Sequence, residues 1–82
     1  MNSKFYTYVL ESERDGKLYI GITKDVTDRI HYHNAGRVRS TKARLPFRLV
    51  GYHEFDSFKE ARQAEVHLKH LKSPTRIRAW LQ

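Results

Sequence analysis

The chain has 82 residues, 39% of them hydrophobic, and a formal net charge of +7, so we expect one folded domain over residues 1–82 with a polyanionic partner. The absence of cysteine excludes disulfides, thiolate metal sites and thiol nucleophiles. Apolar runs reach only about five residues, too short for a membrane span or a secretory signal, so we expect a cytoplasmic protein.

A β-hairpin is predicted near the start of the chain. The segments Phe5–Leu10 and Lys17–Ile22 are rich in aromatic and β-branched residues, and the Asp-Gly pair between them is typical of a turn. A turn centred just after Glu13 would place Tyr8 directly opposite Tyr19. Because opposed residues share one face of a sheet, both rings would then project from the same side.

A helix is predicted over Asp25–Ala35. Asp25 is a suitable N-cap and Gly36 a suitable C-cap. Arg29 and His33 are four residues apart, so they lie one turn above each other on the same side of this helix.

The second half of the chain predicts one strand and two helices. Phe47–Phe55 has the composition of a third strand. The capping box Ser57–Glu60 begins a helix that ends near Lys72, and Ser73 and Pro74 begin a short last helix. The order of elements is therefore ββαβαα, an α+β fold.

Positive charge is concentrated in and beside a predicted loop over residues 36–46. No acid occurs between Asp28 and Glu54. Clustered cations release counterions when they meet phosphates, which favours a nucleic acid partner, and a basic surface that only aids solubility is the alternative. The residues predicted to bind nucleic acid are Lys24, Arg37, Arg39, Lys42, Arg44 and Arg48.

One acid falls where apolar residues are expected. Glu65 lies within the helical arc of Phe58, Ala61 and Leu68, and a carboxylate there must be paired or bound. It either pairs with a base such as Arg29, reaches solvent at the helix edge, or is a hard oxygen ligand for Mg²⁺ or Mn²⁺. The histidines do not make a convincing zinc set without cysteine.

These residues, in this order, resemble the GIY-YIG endonuclease superfamily. The matching residues are Tyr6-Thr7-Tyr8, Tyr19-Ile20-Gly21, Arg29, His33 and Glu65. The resemblance covers nearly the whole chain and is greatest to small single-domain members. It implies a three-stranded antiparallel sheet flanked by helices, with the site on one face of the sheet.

The resemblance also implies a role for each matched residue. Glu65 would be the single ligand to Mg²⁺ or Mn²⁺, and Arg29 would hold a phosphate oxygen. Tyr8 would be the general base, which requires nearby positive charge to lower its pKa, or would assist a water that loses its proton. Tyr19 and His33 would orient water or phosphate, and His33 could also shuttle a proton. Core packing is the alternative role for both tyrosines.

The sequence departs from the family pattern at three places. Tyr6-Thr7 stands for Gly-Ile, Ile22 replaces a supporting lysine that Lys24 could supply, and no asparagine follows Asn34. The leading hypothesis is a divalent-metal-dependent DNA endonuclease of repair or recombination, with RNA as a second candidate substrate and a protein partner for targeting. The alternatives are a non-catalytic nucleic-acid-binding module that keeps the fold and a domain that binds an acidic protein.

Overall fold

A three-stranded antiparallel sheet forms the centre of the fold, and helices cover both of its faces. In the computed structural model, which describes residues 3–82, the strands are β1 (Phe5–Ser12), β2 (Leu18–Thr23) and β3 (Phe47–Phe55). The helices are α1 (Val26–Asn34), α2 (Phe58–Leu71) and α3 (Pro74–Trp80), with a 3₁₀ turn at Lys42–Arg44. The strand order is β2-β1-β3. The predicted α+β fold and its order ββαβαα are confirmed, and the first two residues of the predicted domain lie outside the described part.

The register of the hairpin differs from the predicted one by two residues. Tyr8 lies opposite Gly21, and Tyr19 lies opposite Leu10. A shift of two residues keeps every side chain on its own face, because side chains alternate with a period of two. Tyr8 and Tyr19 therefore still project from the same side of the sheet, one diagonal step apart.

The position of the hairpin turn explains this shift. Gly16 adopts a φ of 74°, a conformation that glycine takes at little cost. The strands close where the Ser12 N–H donates to the Lys17 carbonyl at 2.9 Å, and the Ser12 hydroxyl accepts from the N–H groups of Arg14 and Asp15. The loop thus spans residues 13–16 and is centred between Arg14 and Asp15, so the predicted centre between Glu13 and Arg14 is wrong by one residue.

The sheet carries a hydrophobic cluster on each face. The first contains Val9, Ile20, Leu68 and Ile77 and joins the sheet to α2 and α3. The second contains Tyr8, Leu10 and Phe47, with Tyr19, Ile30, Leu45 and Leu49 packed against it. Both faces are occupied because neighbouring residues of β1 point to opposite sides. The candidate site forms on the second face.

Helix α1 begins as predicted and ends one residue earlier. The Asp25 carboxylate accepts from the Asp28 N–H at 2.9 Å, which confirms its capping role. The C-cap is Ala35, and the predicted C-cap Gly36 follows it with a φ of 75°. Glycine there takes the left-handed conformation that turns the chain away from the helix.

Helix α2 has the predicted capping box, but one of its predicted core residues is outside the core. The Ser57 hydroxyl accepts from the Glu60 N–H at 3.2 Å and donates to the Glu60 carboxylate at 3.0 Å. Phe58 is 55% exposed and packs edge-to-face on Phe5 with ring centroids 5.8 Å apart. Phe58 is the first residue of α2 and packs on the first residue of β1, at the edge of the core, so its place in the helical arc did not predict its exposure.

Helix α3 is held to the sheet by its last turn. Ser73 caps it by accepting from the Arg76 N–H at 3.3 Å. Trp80 stacks on the His53 ring with centroids 4.0 Å apart. Within residues 3–82 no helix is long and apolar enough to cross a membrane.

Candidate active site

The phenol of Tyr8 lies across the edge strand β2. A Cβ atom at Gly21 would stand only 2.4 Å from the Tyr8 Oη, so the missing side chain of Gly21 makes room for this ring. Tyr8 is 2% exposed. Gly21 thus fixes the direction in which the Tyr8 hydroxyl points.

His33, from the last turn of α1, meets this hydroxyl. Its Nε2 lies 3.0 Å from the Tyr8 Oη, and its Nδ1 lies 3.0 Å from the Thr41 Oγ1. His33 is 1% exposed and Thr41 is fully buried. Both ring nitrogens are therefore held by hydroxyls in a site closed to solvent.

Thr41 is a site residue that the sequence did not reveal. It belongs to the loop between α1 and β3, where no hydrophobic period applies. The contact with His33 is made across the turn of that loop, so spacing along the chain carries no signal for it.

Tyr19 forms the more open side of the same cluster. Its ring packs edge-to-face on the imidazole of His33 at 4.9 Å between centroids and lies 6.4 Å from the Tyr8 ring. Tyr19 is half-buried, and Phe47 packs behind it at 6.5 Å. The Tyr19 phenol is therefore the side of this cluster that a substrate can approach.

Arg29 brings a positive charge to the cluster. Its guanidinium lies over the Tyr32 ring at 5.2 Å, and among the described residues no carboxylate pairs with it. It is half-buried one helical turn before His33. A half-buried guanidinium without a counter-ion is a suitable anchor for a phosphate.

The pKa values of the two buried groups keep both neutral. Burial raises the pKa of Tyr8 well above its usual 10.0; the Tyr19 phenol adds to this rise, the Arg29 charge opposes it, and the Glu65 charge adds further. The expected lowering of the Tyr8 pKa is therefore wrong, since burial outweighs Arg29. Burial, aided by Arg29, lowers the pKa of His33 below 6.5.

Glu65 is buried on α2, as predicted from its position in the apolar arc. It is 8% exposed, and its two oxygens pair with Arg62 Nη1 at 2.6 Å and Lys69 Nζ at 3.2 Å. Both partners lie on the same helix, so of the alternatives for Glu65 the pairing with Arg29 is not the one observed. Helix α2 packs on the face of the sheet opposite the one that carries Tyr8 and Tyr19, and the Glu65 charge is the smallest of the four causes that act on the pKa of Tyr8.

A divalent cation could use Glu65 only in an open, water-rich coordination. No group of three His, Cys, Asp or Glu suitable for a metal occurs within residues 3–82. Mg²⁺ is often held by one or two carboxylates with water and phosphate oxygens as the other ligands. The side chains of Arg62 and Lys69 are 57% and 55% exposed, so they can leave the carboxylate without losing a buried partner. The single carboxylate of Glu65 therefore fits a hard cation whose other ligands are water and the phosphate oxygens of a substrate.

The six cations predicted to bind nucleic acid fall into two groups. Arg44 pairs with Asp15 at 3.2 Å, and Arg48 pairs with Glu11. Four are exposed and make no ion pair with the described acids: Lys24, Arg37, Arg39 and Lys42.

Lys24 lies apart from the buried cluster. Its Nζ stands over the Phe5 ring at 5.2 Å, and its side chain lines a groove with Tyr6, Thr27 and Tyr52. It is not among the charges that act on the pKa of Tyr8. The predicted replacement of the missing family lysine by Lys24 therefore finds no support.

Comparison with known proteins identifies the family. The model of the GIY-YIG catalytic domain matches residues 4–78. The chain belongs to the GIY-YIG family. The chain is similar to a UPF0213 protein of Streptococcus pneumoniae, 47% identical over 90% of this chain and 75% of the relative, and to one of Cupriavidus necator, 40% identical over 88% and 78%. The solution structure of the UPF0213 protein BH0048 from Bacillus halodurans has a TM-score of 0.51 and 35% identity, and 93% of each chain is covered.

Membership in the GIY-YIG family points to a nuclease and to nucleic acid as its class of substrate. The range that the family model matches contains Tyr8, Tyr19 and Gly21, the residue that accommodates the Tyr8 phenol. The cluster of Tyr8, Tyr19, Arg29 and His33 therefore lies within the matched residues.

Proposed function

We propose that this GIY-YIG domain is a divalent-metal-dependent endonuclease that hydrolyses phosphodiester bonds in DNA. The observation that carries the proposal is the buried hydrogen bond between Tyr8 Oη and His33 Nε2, 3.0 Å long, beside the unpaired guanidinium of Arg29. A proton acceptor next to an anion-binding group is what attack of water on a phosphate requires.

The pair of Tyr8 and His33 acts as the base. A phenol with a raised pKa does not ionise by itself at neutral pH. It can take the proton of an attacking water if its own proton passes at the same time to the imidazole of His33. The new bond from the water oxygen to phosphorus forms as the bond to the leaving oxygen breaks, and that oxygen takes up a proton from solvent.

Arg29, Tyr19 and Glu65 have supporting roles. Arg29 donates to a non-bridging phosphate oxygen, and the half-buried Tyr19 hydroxyl orients the water. Glu65 would hold Mg²⁺ or Mn²⁺ after exchanging Arg62 and Lys69. When bound, the cation supplies charge neutralisation at the phosphate and Lewis-acid assistance to the leaving group.

The exposed cations guide the nucleic acid to this site. Arg37, Arg39 and Lys42 belong to the loop that also carries Thr41, so phosphates bound there lie next to the cluster. Arg44 and Arg48 contribute less, because Asp15 and Glu11 already neutralise them.

Plasmid nicking tests the proposal. Supercoiled plasmid is incubated with the protein and Mg²⁺, Mn²⁺ or EDTA, beside Tyr8→Phe, Glu65→Gln and the control Glu13→Gln in the hairpin loop. We expect nicking by the native protein and the control only with metal, and a loss of about a hundredfold or more in the other two. Equal nicking by native protein and Glu65→Gln would contradict the proposal. An RNA substrate in the same assay measures the preference between the two nucleic acids.

A second candidate is a nucleic-acid-binding module without catalysis. Two observations favour it: Tyr8 is only 2% exposed, and both oxygens of Glu65 are engaged in ion pairs. It predicts binding that weakens steeply between about 50 and 200 mM salt, with no cleavage at any metal concentration. Metal-dependent nicking that disappears in Tyr8→Phe would exclude it.

A further inference from the structure

We propose that Thr41 is a positioning residue that fixes the tautomer of His33, so that Nε2 is free to accept the proton of Tyr8. Its catalytic consequence rests on the nuclease activity proposed above. The tautomer itself is a property of the folded protein and can be measured without any activity.

The hydroxyl of Thr41 is committed by the loop backbone. It lies 3.3 Å from the carbonyl oxygen of Val38, the same oxygen that accepts the Thr41 N–H at 3.1 Å. A hydroxyl has one proton to donate. If that proton goes to Val38, the Thr41 oxygen can only accept from His33 Nδ1 at 3.0 Å. The proton of the neutral imidazole is then on Nδ1.

The phenol of Tyr8 leads to the same tautomer by a separate route. Its raised pKa keeps the proton on Oη, and His33 Nε2 is the hydrogen-bond partner that the described residues offer this oxygen. If Nε2 carried a proton, the buried phenol would have no acceptor, which costs about 1–3 kcal/mol. Nε2 therefore accepts, and Nδ1 carries the proton.

The two constraints meet at the imidazole, and nothing else around it competes. The groups that face His33 are Tyr8 from β1, Tyr19 from β2, Phe47 from β3, Arg29 from its own helix and Thr41 from the loop. Among them only Thr41 offers an acceptor to Nδ1. Thr41 is fully buried, so water does not replace its oxygen when the hydroxyl is removed.

Nitrogen-15 NMR of the histidine rings tests the tautomer directly. Long-range correlations distinguish a protonated Nδ1 from a protonated Nε2, and His33→Gln identifies the His33 signals. We expect a single Nδ1–H tautomer in the native protein and in Tyr8→Phe, because Thr41 fixes it without the phenol. We expect a mixture of tautomers in Thr41→Val, because each tautomer then leaves one buried donor, either His33 Nδ1–H or the Tyr8 hydroxyl, without an acceptor. The Nδ1–H form should be restored in Thr41→Ser, which keeps the hydroxyl.

The control is Ser40→Ala, the exposed neighbour of Thr41 in the loop, which should leave the tautomer as in the native protein. An Nε2–H tautomer in the native protein would overturn the proposal. An unchanged pure Nδ1–H signal in a folded Thr41→Val variant would also overturn it, because the Tyr8 phenol alone would then be fixing the tautomer.

The catalytic consequence is measured separately by plasmid nicking. Thr41→Val should lower the turnover rate by about tenfold with unchanged DNA affinity, and Thr41→Ser should recover it. If the native protein shows the Nδ1–H tautomer but never nicks DNA, the proposed nuclease function fails and the tautomer assignment stands. If the native protein nicks and Thr41→Val nicks equally fast, the positioning role fails and the nuclease function stands.

Discussion

The buried phenol of Tyr8 depends on the absence of a side chain at Gly21, the residue directly opposite it on the neighbouring strand. The Tyr8 ring crosses to Gly21, where a Cβ atom would approach Oη to 2.4 Å. Gly21 therefore has a packing role. It permits the hydrogen bond from Tyr8 to His33.

Substitution of Gly21 by Ala should disrupt this hydrogen bond. We expect Gly21→Ala to destabilise the fold by about 1–3 kcal/mol, because the buried ring must move to relieve the overlap. Nicking should fall with it, since the moved hydroxyl no longer meets His33 Nε2. Urea unfolding and the nicking assay measure the two effects.

Gly51→Ala is the matched control in another strand. A Cβ atom there meets Leu81, a flexible side chain, at 3.2 Å, so we expect a smaller loss of stability and little change in nicking. A Gly21→Ala variant as stable as Gly51→Ala would contradict the close packing of the phenol.

The imidazole of His33 makes stability depend on pH. Its pKa is lowered in the folded protein by burial first and by the Arg29 charge second. Between the folded pKa and the unfolded value near 6.5, the unfolded chain binds more protons, so the free energy of unfolding falls as the pH is lowered. His33 contributes its full stability above 6.5 and loses it progressively as the pH falls through the folded pKa.

Urea unfolding between pH 7.5 and pH 5.5 measures this dependence. The slope should be steeper in the native protein than in His33→Gln, which has no titrating group at this position. Equal slopes in the two proteins would mean that His33 is not held neutral by the fold.

At the scale of elements, α2 is the helix that packs on the sheet and carries Glu65. Its N-terminus is held by Ser57, which makes two hydrogen bonds with Glu60. The Thr7 hydroxyl of β1 donates to the Ala61 carbonyl at 2.8 Å, which ties the first turn to the sheet. Helix α2 therefore depends on its first turn for its position beneath β1.

Removal of the cap should weaken α2. We expect Ser57→Ala to lower the free energy of unfolding by about 1 kcal/mol, because the Glu60 N–H and the helix N-terminus lose their acceptor. Ser40→Ala, in an exposed part of the loop, should have an effect below about 0.5 kcal/mol. Chemical denaturation of both variants provides the measurement, and equal stabilities would contradict the capping role.

The elements themselves were predictable because their signals are local. The capping residues Asp25, Ser57 and Ser73 and the strand Phe47–Phe55 all follow from short patterns. The hairpin register did not follow, since it depends on which residue of the loop takes a positive φ, and Gly16 does so.

The site was predictable only in part, for a physical reason. Periods of two and of about 3.6 residues predict three features of the site. These are the shared face of Tyr8 and Tyr19, the burial of Glu65, and the position of Arg29 one helical turn before His33.

The contact of Thr41 and the sign of the Tyr8 pKa shift depend on packing between distant segments, which no period along the chain encodes. The partners of Glu65, Arg62 and Lys69, lie three and four residues from it on the same helix, so the helical period does encode them.

At the scale of the whole molecule, charge is divided between paired and unpaired cations. Glu11 joins Arg48 of β3 and Arg78 of α3, the latter at 2.7 Å, so these cations hold elements together. Arg37, Arg39 and Lys42 make no such pairs with the described acids. The net charge of +7 therefore overstates what is available to a ligand at any one place.

A triple substitution separates the two groups of cations. Replacing Arg37, Arg39 and Lys42 by Ala should weaken DNA binding and reduce the slope of log affinity against log salt by about 2–3, at roughly 0.9 per lost phosphate contact. Lys59→Ala, at the opposite end of the sheet, should leave the slope unchanged. Fluorescence anisotropy over a salt series is the measurement, and an unchanged slope in the triple variant would place the DNA on another surface.

The segment that carries those three cations also carries Thr41, whose oxygen lies 3.0 Å from the imidazole. Binding of the ligand and orientation of His33 for proton transfer thus depend on the same short loop. Lengthening or replacing this loop to extend its contact along a duplex would therefore also disturb the hydrogen bond that orients the imidazole of His33. New specificity is therefore easier to add outside this loop, where a change leaves the contact between Thr41 and the imidazole intact.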